Sequence, residues 1–249
     1  LPSIDTSFTS SSMEVDYVRV YQQSNLSLEE QASNGIGALG NPFEEKLFIR
    51  LNGPSTINIE FDSPTSSYTD YFSIYIQSPS GDILSSINTG RDATLSAAVT
   101  EVGTYYIVVQ SDRAAGGYYY NDAEYGITTK VSSGTGNVEI EPNNTTEKST
   151  QLISGNKFDG QLYSRNDIDW FSIDISGSGT IKLSFDSPTN SYTDYFEFGV
   201  TDQNGTILYA LETGRDADLS AAVASPGTYF IFVRSDYSAG GYYYNSDNY

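Results

Sequence analysis

Hydrophobic and polar positions alternate along most of this chain in short runs. Thr56–Phe61, Tyr71–Gln77 and Thr104–Gln110 follow this pattern, and Thr180–Phe185, Tyr195–Thr201 and Thr228–Arg234 repeat it later. A period of two is that of a strand, whose successive side chains point to opposite faces. The runs are rich in Tyr, Phe, Ile, Val and Thr, and Gly, Pro, Asp and Ser clusters separate them, which is the punctuation of strands and turns. No stretch sustains helical spacing. The pattern predicts an all-β protein.

The elements fall into an internal repeat. Asp62-Ser-Pro-Thr65 returns as Asp186-Ser-Pro-Thr189, Thr89-Gly-Arg-Asp92 as Thr213-Gly-Arg-Asp216, and Gly116-Gly-Tyr-Tyr-Tyr-Asn121 as Gly240-Gly-Tyr-Tyr-Tyr-Asn245, always 124 residues on. From Asp62 to Tyr125 no gap is needed, and 38 of 64 positions are identical. The expected architecture is two tandem antiparallel β-sandwich, jelly-roll-like domains. Repeat 1 spans 28–131, a linker 132–138, and repeat 2 139–249, with a head segment 1–23 belonging to neither. Ser132–Asn137 reads as flexible by composition. Repeat 1 continues beyond Tyr125 through Gly126–Val131, whereas repeat 2 stops at Tyr249, so its last strand is expected to be missing. The chain opens on Leu1 rather than Met, which predicts a piece of a longer polypeptide.

Strand parity places the loops. If successive strands run antiparallel, loops Asp62–Asp70, Thr89–Asp92 and Ser111–Asn121 share one end of the sandwich. The turns Ser78–Asp82 and Glu101–Gly103 share the other. The first set is nearly identical between repeats, whereas the second has drifted: Ser78-Pro-Ser-Gly-Asp82 becomes Asp202-Gln-Asn-Gly-Thr206. Packing alone preserves strands and lets loops vary. A shared binding face explains the asymmetry; a purely structural role for the loops, such as holding calcium, is the alternative.

Composition then narrows the chemistry. Lys plus Arg number 12 and Asp plus Glu 32, a formal charge of −20. Such a chain repels phosphates, which argues against nucleic acid and anionic lipid as partners. There is no Cys and no His, which removes thiol and imidazole nucleophile–base pairs, imidazole zinc sites and disulfides. No apolar run approaches the length of a membrane span.

The matching loop ends offer Tyr68, Asp70, Tyr71, Arg91, Asp92, Asp112, Tyr118, Tyr120 and Asn121. Repeat 2 offers Tyr192, Asp194, Tyr195, Arg215, Asp216, Asp236, Tyr242, Tyr244 and Asn245. Exposed Tyr rings present flat apolar faces with a polar edge. Such rings stack on pyranose C–H faces while Asp, Asn and Arg bond hydroxyls, a combination suited to a neutral polysaccharide. Three consecutive tyrosines in a strand would alternate, Tyr118 and Tyr120 one way and Tyr119 the other, with at least one in the core. Arg91 either aims its fork at ligand hydroxyls or bridges Asp70 or Asp112. The carboxylates Asp62, Asp70, Asp92 and Asp112 could in principle form a paired-carboxylate glycosidase site, but a duplicated active site in small tandem sandwiches is uncommon. Calcium is a more fitting use of such oxygens than catalysis, and a solvated acidic rim is the alternative.

Two resemblances add to this. Glu141-Pro-Asn-Asn-Thr145, Asp167-Ile-Asp-Trp-Phe171 and Pro226-Gly-Thr-Tyr-Phe-Ile231 resemble the bacterial pre-peptidase C-terminal (PPC) domain family, a β-sandwich carried by secreted hydrolases. The resemblance implies a calcium site in the acidic lead-in, at Glu141, Asn143, Asp167 and Asp169. Repeat 1 keeps only the later part, including Gly103-Thr-Tyr-Tyr-Ile107, and lacks the Trp and the first Asp pair. The head segment Met13-Glu-Val-Asp-Tyr-Val-Arg-Val-Tyr-Gln22 resembles the last strand of glycoside hydrolase family 16, the laminarinase-like β-glucanases. It implies a catalytic domain upstream in the same polypeptide, a family 16 endo-glucanase whose catalytic carboxylates are not in this chain. Read alone, Val15–Tyr21 is an amphipathic strand that could instead pair with repeat 1.

The expectation is therefore a non-catalytic, secreted or cell-surface pair of carbohydrate-binding modules from a marine bacterial hydrolase, with β-1,3-glucan as first ligand. The alternative is a protein-interaction or spacer module without sugar affinity.

Overall fold

The structure is a computed structural model, and it describes residues 31–37 and 44–249. The head strand Met13–Gln22 lies outside the described residues. Repeat 1 forms two four-stranded antiparallel sheets. One carries β1 (Gln31–Gly37), β3 (Ser55–Asp62), β6 (Ala93–Val99) and β8 (Tyr125–Ser133), in the order β1-β8-β3-β6. The other carries β2 (Glu44–Leu51), β4 (Ser67–Gln77), β5 (Ile83–Gly90) and β7 (Gly103–Ser111), in the order β2-β7-β4-β5. The alternating apolar residues named by the sequence meet between them: Ile57, Ile59 and Leu95 from one sheet, Ile74, Ile76 and Ile107 from the other, all buried. Burial of these faces is the main favourable term of the fold. β1 was not foreseen, since Gln31-Ala-Ser-Asn-Gly-Ile-Gly37 has no alternation; it is placed by its ladder with β8.

Repeat 2 rebuilds this plan. β10 (Ile168–Ile175), β12 (Ser191–Thr201), β13 (Ile207–Gly214) and β15 (Gly227–Ser235) pair as β13-β12-β15-β10, with the short β9 (Thr150–Gln151) added in parallel beside β10. β11 (Gly179–Phe185) and β14 (Ala217–Val223) make a two-stranded second sheet. Tyr249 takes the place that Tyr125 has in repeat 1. Tyr125 packs on Phe61 and Phe72 with ring centroids 5.3 and 5.9 Å apart, and Tyr249 packs on Phe185 and Phe196 at 5.3 and 6.0 Å. Where β8 flanks β3 in repeat 1, β11 is paired on one side only. No helix among the described residues is long and apolar enough to cross a membrane.

Three local expectations change. The loop expected over Asp62–Asp70 ends earlier, because β4 already begins at Ser67. The supposedly flexible Ser132–Asn137 is held: Ser132 and Ser133 belong to β8, Gly134 and Asn137 are engaged by Pro54, Thr56 and Asp159, and Glu139 N donates to Asp159 O. Residues Tyr118–Tyr120 are not in a strand, so they do not alternate.

Candidate ligand-binding ends and a buried acidic cluster

Strand parity holds. At one end Thr65 Oγ1 donates to Gly90 O, Asp92 Oδ1 accepts Ser63 N at 3.0 Å, and Asp112 N donates to Tyr71 O at 2.9 Å, so the three predicted loops meet. At the other, a Cβ on Gly103 would meet the Pro79 ring at 2.5 Å, so the drifted turns lie together.

The ring-bearing end is shaped by a bulge. Ser67 pairs with Gly90, and the next pair is Phe72 with Thr89, so Tyr68–Tyr71 have no partner residues and are pushed out of the ladder. Ser67 Oγ accepts Thr69 N at 3.0 Å and closes the bulge. Only glycine fits opposite: a Cβ on Gly90 would fall on Thr69 O, and one on Gly214 on Thr193 O. Tyr68 is consequently 90% exposed and Tyr192 91%. Over each ring lies a guanidinium, Arg91 at 5.1 Å from the Tyr68 centroid and Arg215 at 4.9 Å from that of Tyr192, a cation–π contact. Among the described residues neither Arg forms an ion pair within 4.0 Å, so the carboxylate-bridging role considered for Arg91 is not what the structure shows. The third loop adds Tyr118 and Tyr242, 92% and 89% exposed. Asp112 Oδ2 accepts Tyr118 N at 2.8 Å and Tyr119 N at 3.0 Å, and Asp236 does the same for Tyr242 and Tyr243.

The predicted residues thus divide. Tyr68, Asp70, Arg91 and Tyr118, with Tyr192, Asp194, Arg215 and Tyr242, are exposed at the loop ends. Burial and then the neighbouring Asp112 push the Asp70 carboxyl above the usual range, while Arg91 opposes this. Asp92, Asp112, Asp216 and Asp236 hold loop backbone instead. Asn121 and Asn245 accept from Ala123 N and Asp247 N. Tyr71 and Tyr195 pack edge-on against Tyr119 and Tyr243. Tyr120 is half-buried, and Tyr244 OH donates to Leu162 O at 2.8 Å. Tyr119 and Tyr243, expected to face away, are half exposed and join the rim.

The second feature is buried. Glu139, Glu141 and Asp169 bring carboxylate oxygens within 4.8 Å of one another, the one such group among the described residues. Glu139 and Asp167 are 5% and 1% exposed, and Asn143 and Asp169 0%. The hydrogen bonds account for only part of the set. Glu139 accepts Gln161 N and Asn143 Nδ2 at 2.6 and 3.1 Å, and Asp169 Oδ2 accepts Tyr249 OH at 2.6 Å. Asp167 accepts Tyr163 N and Ile168 N at 2.9 and 3.0 Å. Glu141 Oε1, Asn143 Oδ1 and Asp169 Oδ1 are buried with no hydrogen-bond partner. Burial, and for Glu141 and Asp169 the neighbouring carboxylates, drive these carboxyls well above their ordinary range. Buried polar oxygens without a partner are costly, and a cation among them would remove the cost. The donors are all oxygen, the set a hard divalent ion takes.

Of the lead-in positions, Glu141 and Asp169 come together with Glu139, and Asn143 bonds to Glu139; Asp167 lies outside that group, its carboxylate accepting Tyr163 N and Ile168 N. Sequence reasoning missed Glu139, although Glu139-Ile-Glu141 shows the i, i+2 spacing that puts both on one side of an extended segment. Repeat 1 also retains more of the cluster than its sequence suggests. Glu45 faces Val109 in the register where Asp169 faces Val233, and Tyr125 OH donates to Glu45 as Tyr249 OH does to Asp169.

No protein-family model and no curated protein sequence matches the chain. Among solved structures, YhaK from Escherichia coli is similar at 10% identity with TM-score 0.27, covering 83% of this chain and 86% of its own. The plant receptor-like kinase FER is similar at 11% identity and TM-score 0.29, covering 91% and 86%. Tripeptidyl peptidase 2 is similar at 7% identity and TM-score 0.23, covering 89% and 26%. At these TM-scores the likenesses carry no argument.

Proposed function

We propose that the two modules are non-catalytic carbohydrate-binding units of a secreted polysaccharide hydrolase, each gripping sugar at its ring-bearing end. A calcium ion held by Glu139, Glu141, Asn143 and Asp169, with Asp167 beside them, stabilises repeat 2. The observation that carries the sugar reading is the duplicated pair of exposed tyrosines, Tyr68 and Tyr192, each with a guanidinium over its ring. The ring offers its apolar face to a pyranose, and the guanidinium, in no ion pair within 4.0 Å, offers hydrogen bonds to hydroxyls. A neutral β-glucan fits best: the −20 charge disfavours sulfated chains, and the resemblance of Met13–Gln22 to a laminarinase strand favours β-1,3 linkage. Calcium draws support from the three orphaned buried oxygens.

Affinity electrophoresis in β-1,3-glucan gels tests this. Tyr68→Ala or Tyr192→Ala should each weaken retention by about 1–3 kcal/mol, by analogy with ring stacking on bases. The double variant should lose retention, because linked weak sites gain by avidity. Melting should barely move. A folded double variant with full retention overturns the placement, and wild-type protein retained by no polysaccharide favours the spacer reading.

A further inference from the structure

The segment 160–163 joins three parts of the molecule. Its first contact is the acidic cluster, through Gln161 N and Glu139 Oε1. Its second is repeat 1. The Gln161 side-chain amide accepts Ser86 N at 3.2 Å and donates to Ser86 O at 3.0 Å, and Ser85 Oγ donates to the same Oε1. β5 is an edge strand, and the amide engages the N–H and C=O that a neighbouring strand would take. Ser86 Oγ adds a bond to Tyr163 O at 2.9 Å. Ile140, between Glu139 and Glu141, bridges Ala98 of β6. The third contact is the tail that follows the ring loop of repeat 2. Gln161 Nε2 donates to Ser246 O at 2.6 Å, Gly160 and Tyr249 exchange backbone bonds at 3.2 and 2.9 Å, and Tyr244 OH reaches Leu162 O.

We propose that 160–163 is a relay. Cation occupancy of the Glu139–Glu141–Asp169 cluster holds this segment, which clamps repeat 2 against β5 of repeat 1 and steadies the loop carrying Tyr242 and Tyr243. The ring end of repeat 2 is thereby cation-dependent and that of repeat 1 is not. The inference rests on the cation reading above and not on the sugar reading. Its physical basis is proximity of covalent and hydrogen-bonded neighbours: without a cation Glu141 Oε1, Asn143 Oδ1 and Asp169 Oδ1 stay buried with no partner, and the residues beside them hold the segment, Glu139 through Gln161 N and Asp167 through Tyr163 N.

The chain has no Cys, so Glu101→Cys and Asn204→Cys, both exposed turn positions, give a single spin-label pair across the junction. Calcium binding is measured on the same doubly labelled protein by calorimetry, with circular dichroism confirming that the fold persists. The expected result is one narrow distance distribution in calcium, broadened at least two-fold by chelator. Gln161→Ala keeps the backbone donor to Glu139, so it should bind calcium at unchanged stoichiometry yet show the broad distribution even when saturated. Amide exchange at Tyr242 and Tyr243 should rise on chelation while that at Tyr118 and Tyr119 does not. Calcium binding with an unchanged narrow distribution in chelator overturns the relay alone, as does a narrow distribution in calcium-saturated Gln161→Ala. Absence of calcium binding overturns the cation reading and the relay with it.

Discussion

Removal of the cation should destabilise repeat 2 by an amount that follows from linkage. An ion that binds only the folded module adds about 2.7 kcal/mol when its free concentration is a hundred times its dissociation constant. For a module of this size each kcal/mol moves the midpoint by roughly 4–8 °C. Saturated and chelated protein should therefore melt ~10–20 °C apart. The assay is built into the chain. It holds one Trp, and Trp170 lies in β10 next to Asp169, with its backbone N–H donating to Asn143 O at 3.2 Å. Its emission thus reports the unfolding of repeat 2 alone. Asp169→Asn separates the cation from other causes. In calcium it should lose the shift, since a charged ligand oxygen has gone. In chelator it should melt no lower than wild type. It leaves one buried carboxyl fewer in the cluster, and its amide oxygen can still accept Tyr249 OH. A Trp170 melting curve indifferent to chelator would sink the calcium account. So would an Asp169→Asn protein that keeps the full calcium shift.

Two further outcomes test the packing that positions the ends. Phe196 is fully buried between Phe185 and Tyr249, so Phe196→Ala should lower the stability of repeat 2 by about 3–5 kcal/mol, read from its urea midpoint. Gly214→Ala would drive a Cβ onto Thr193 O and should cost ~1–3 kcal/mol while weakening glucan retention through displacement of Tyr192; unchanged retention would mean the bulge does not present the ring.

Much of this was legible in the chain. Alternation gave the sandwich strands because one face of each sheet is buried and a period of two is the consequence. Parity gave the common end of the loops without any knowledge of side chains. What escaped the sequence depended on partners distant along the chain. β1 has no apolar rhythm and is fixed by pairing with β8. Asp112 and Asp92 look like ligands for a sugar, yet they accept loop N–H groups, a use that composition cannot distinguish. The linker is polar and Gly-rich and still ordered, because Asp159 supplies backbone partners some twenty residues away. Gln161 carries no motif; its role exists only because β5 has an open edge beside it.

The two repeats differ in a way that separates packing from binding. On the outer face of the β2-β7-β4-β5 sheet Tyr75 pairs with Val108 in repeat 1, and the same register holds Gly199 opposite Phe232 in repeat 2. The exchange is compensated: a Cβ on Gly199 would come within 2.8 Å of the Phe232 ring, which fills the space that the Tyr side chain vacates. Nearby, Lys46 lies over the Tyr106 ring, whereas Trp170 at the corresponding position packs on Phe230 and Phe232. These faces drift as packed surfaces do, with volume traded between neighbours. The loop ends drifted far less, and every exposed Tyr and Arg named at them is kept. Tyr68 and Tyr192 are 90% and 91% exposed, so apart from the guanidinium over each ring almost no packing holds them to their identity. A side chain that contributes little to its own fold, kept in both copies while buried neighbours were exchanged, is what the proposed contact outside the module requires. That contrast is the physical reason for placing the sugar at the loop ends rather than on the sheet face that carries Trp170.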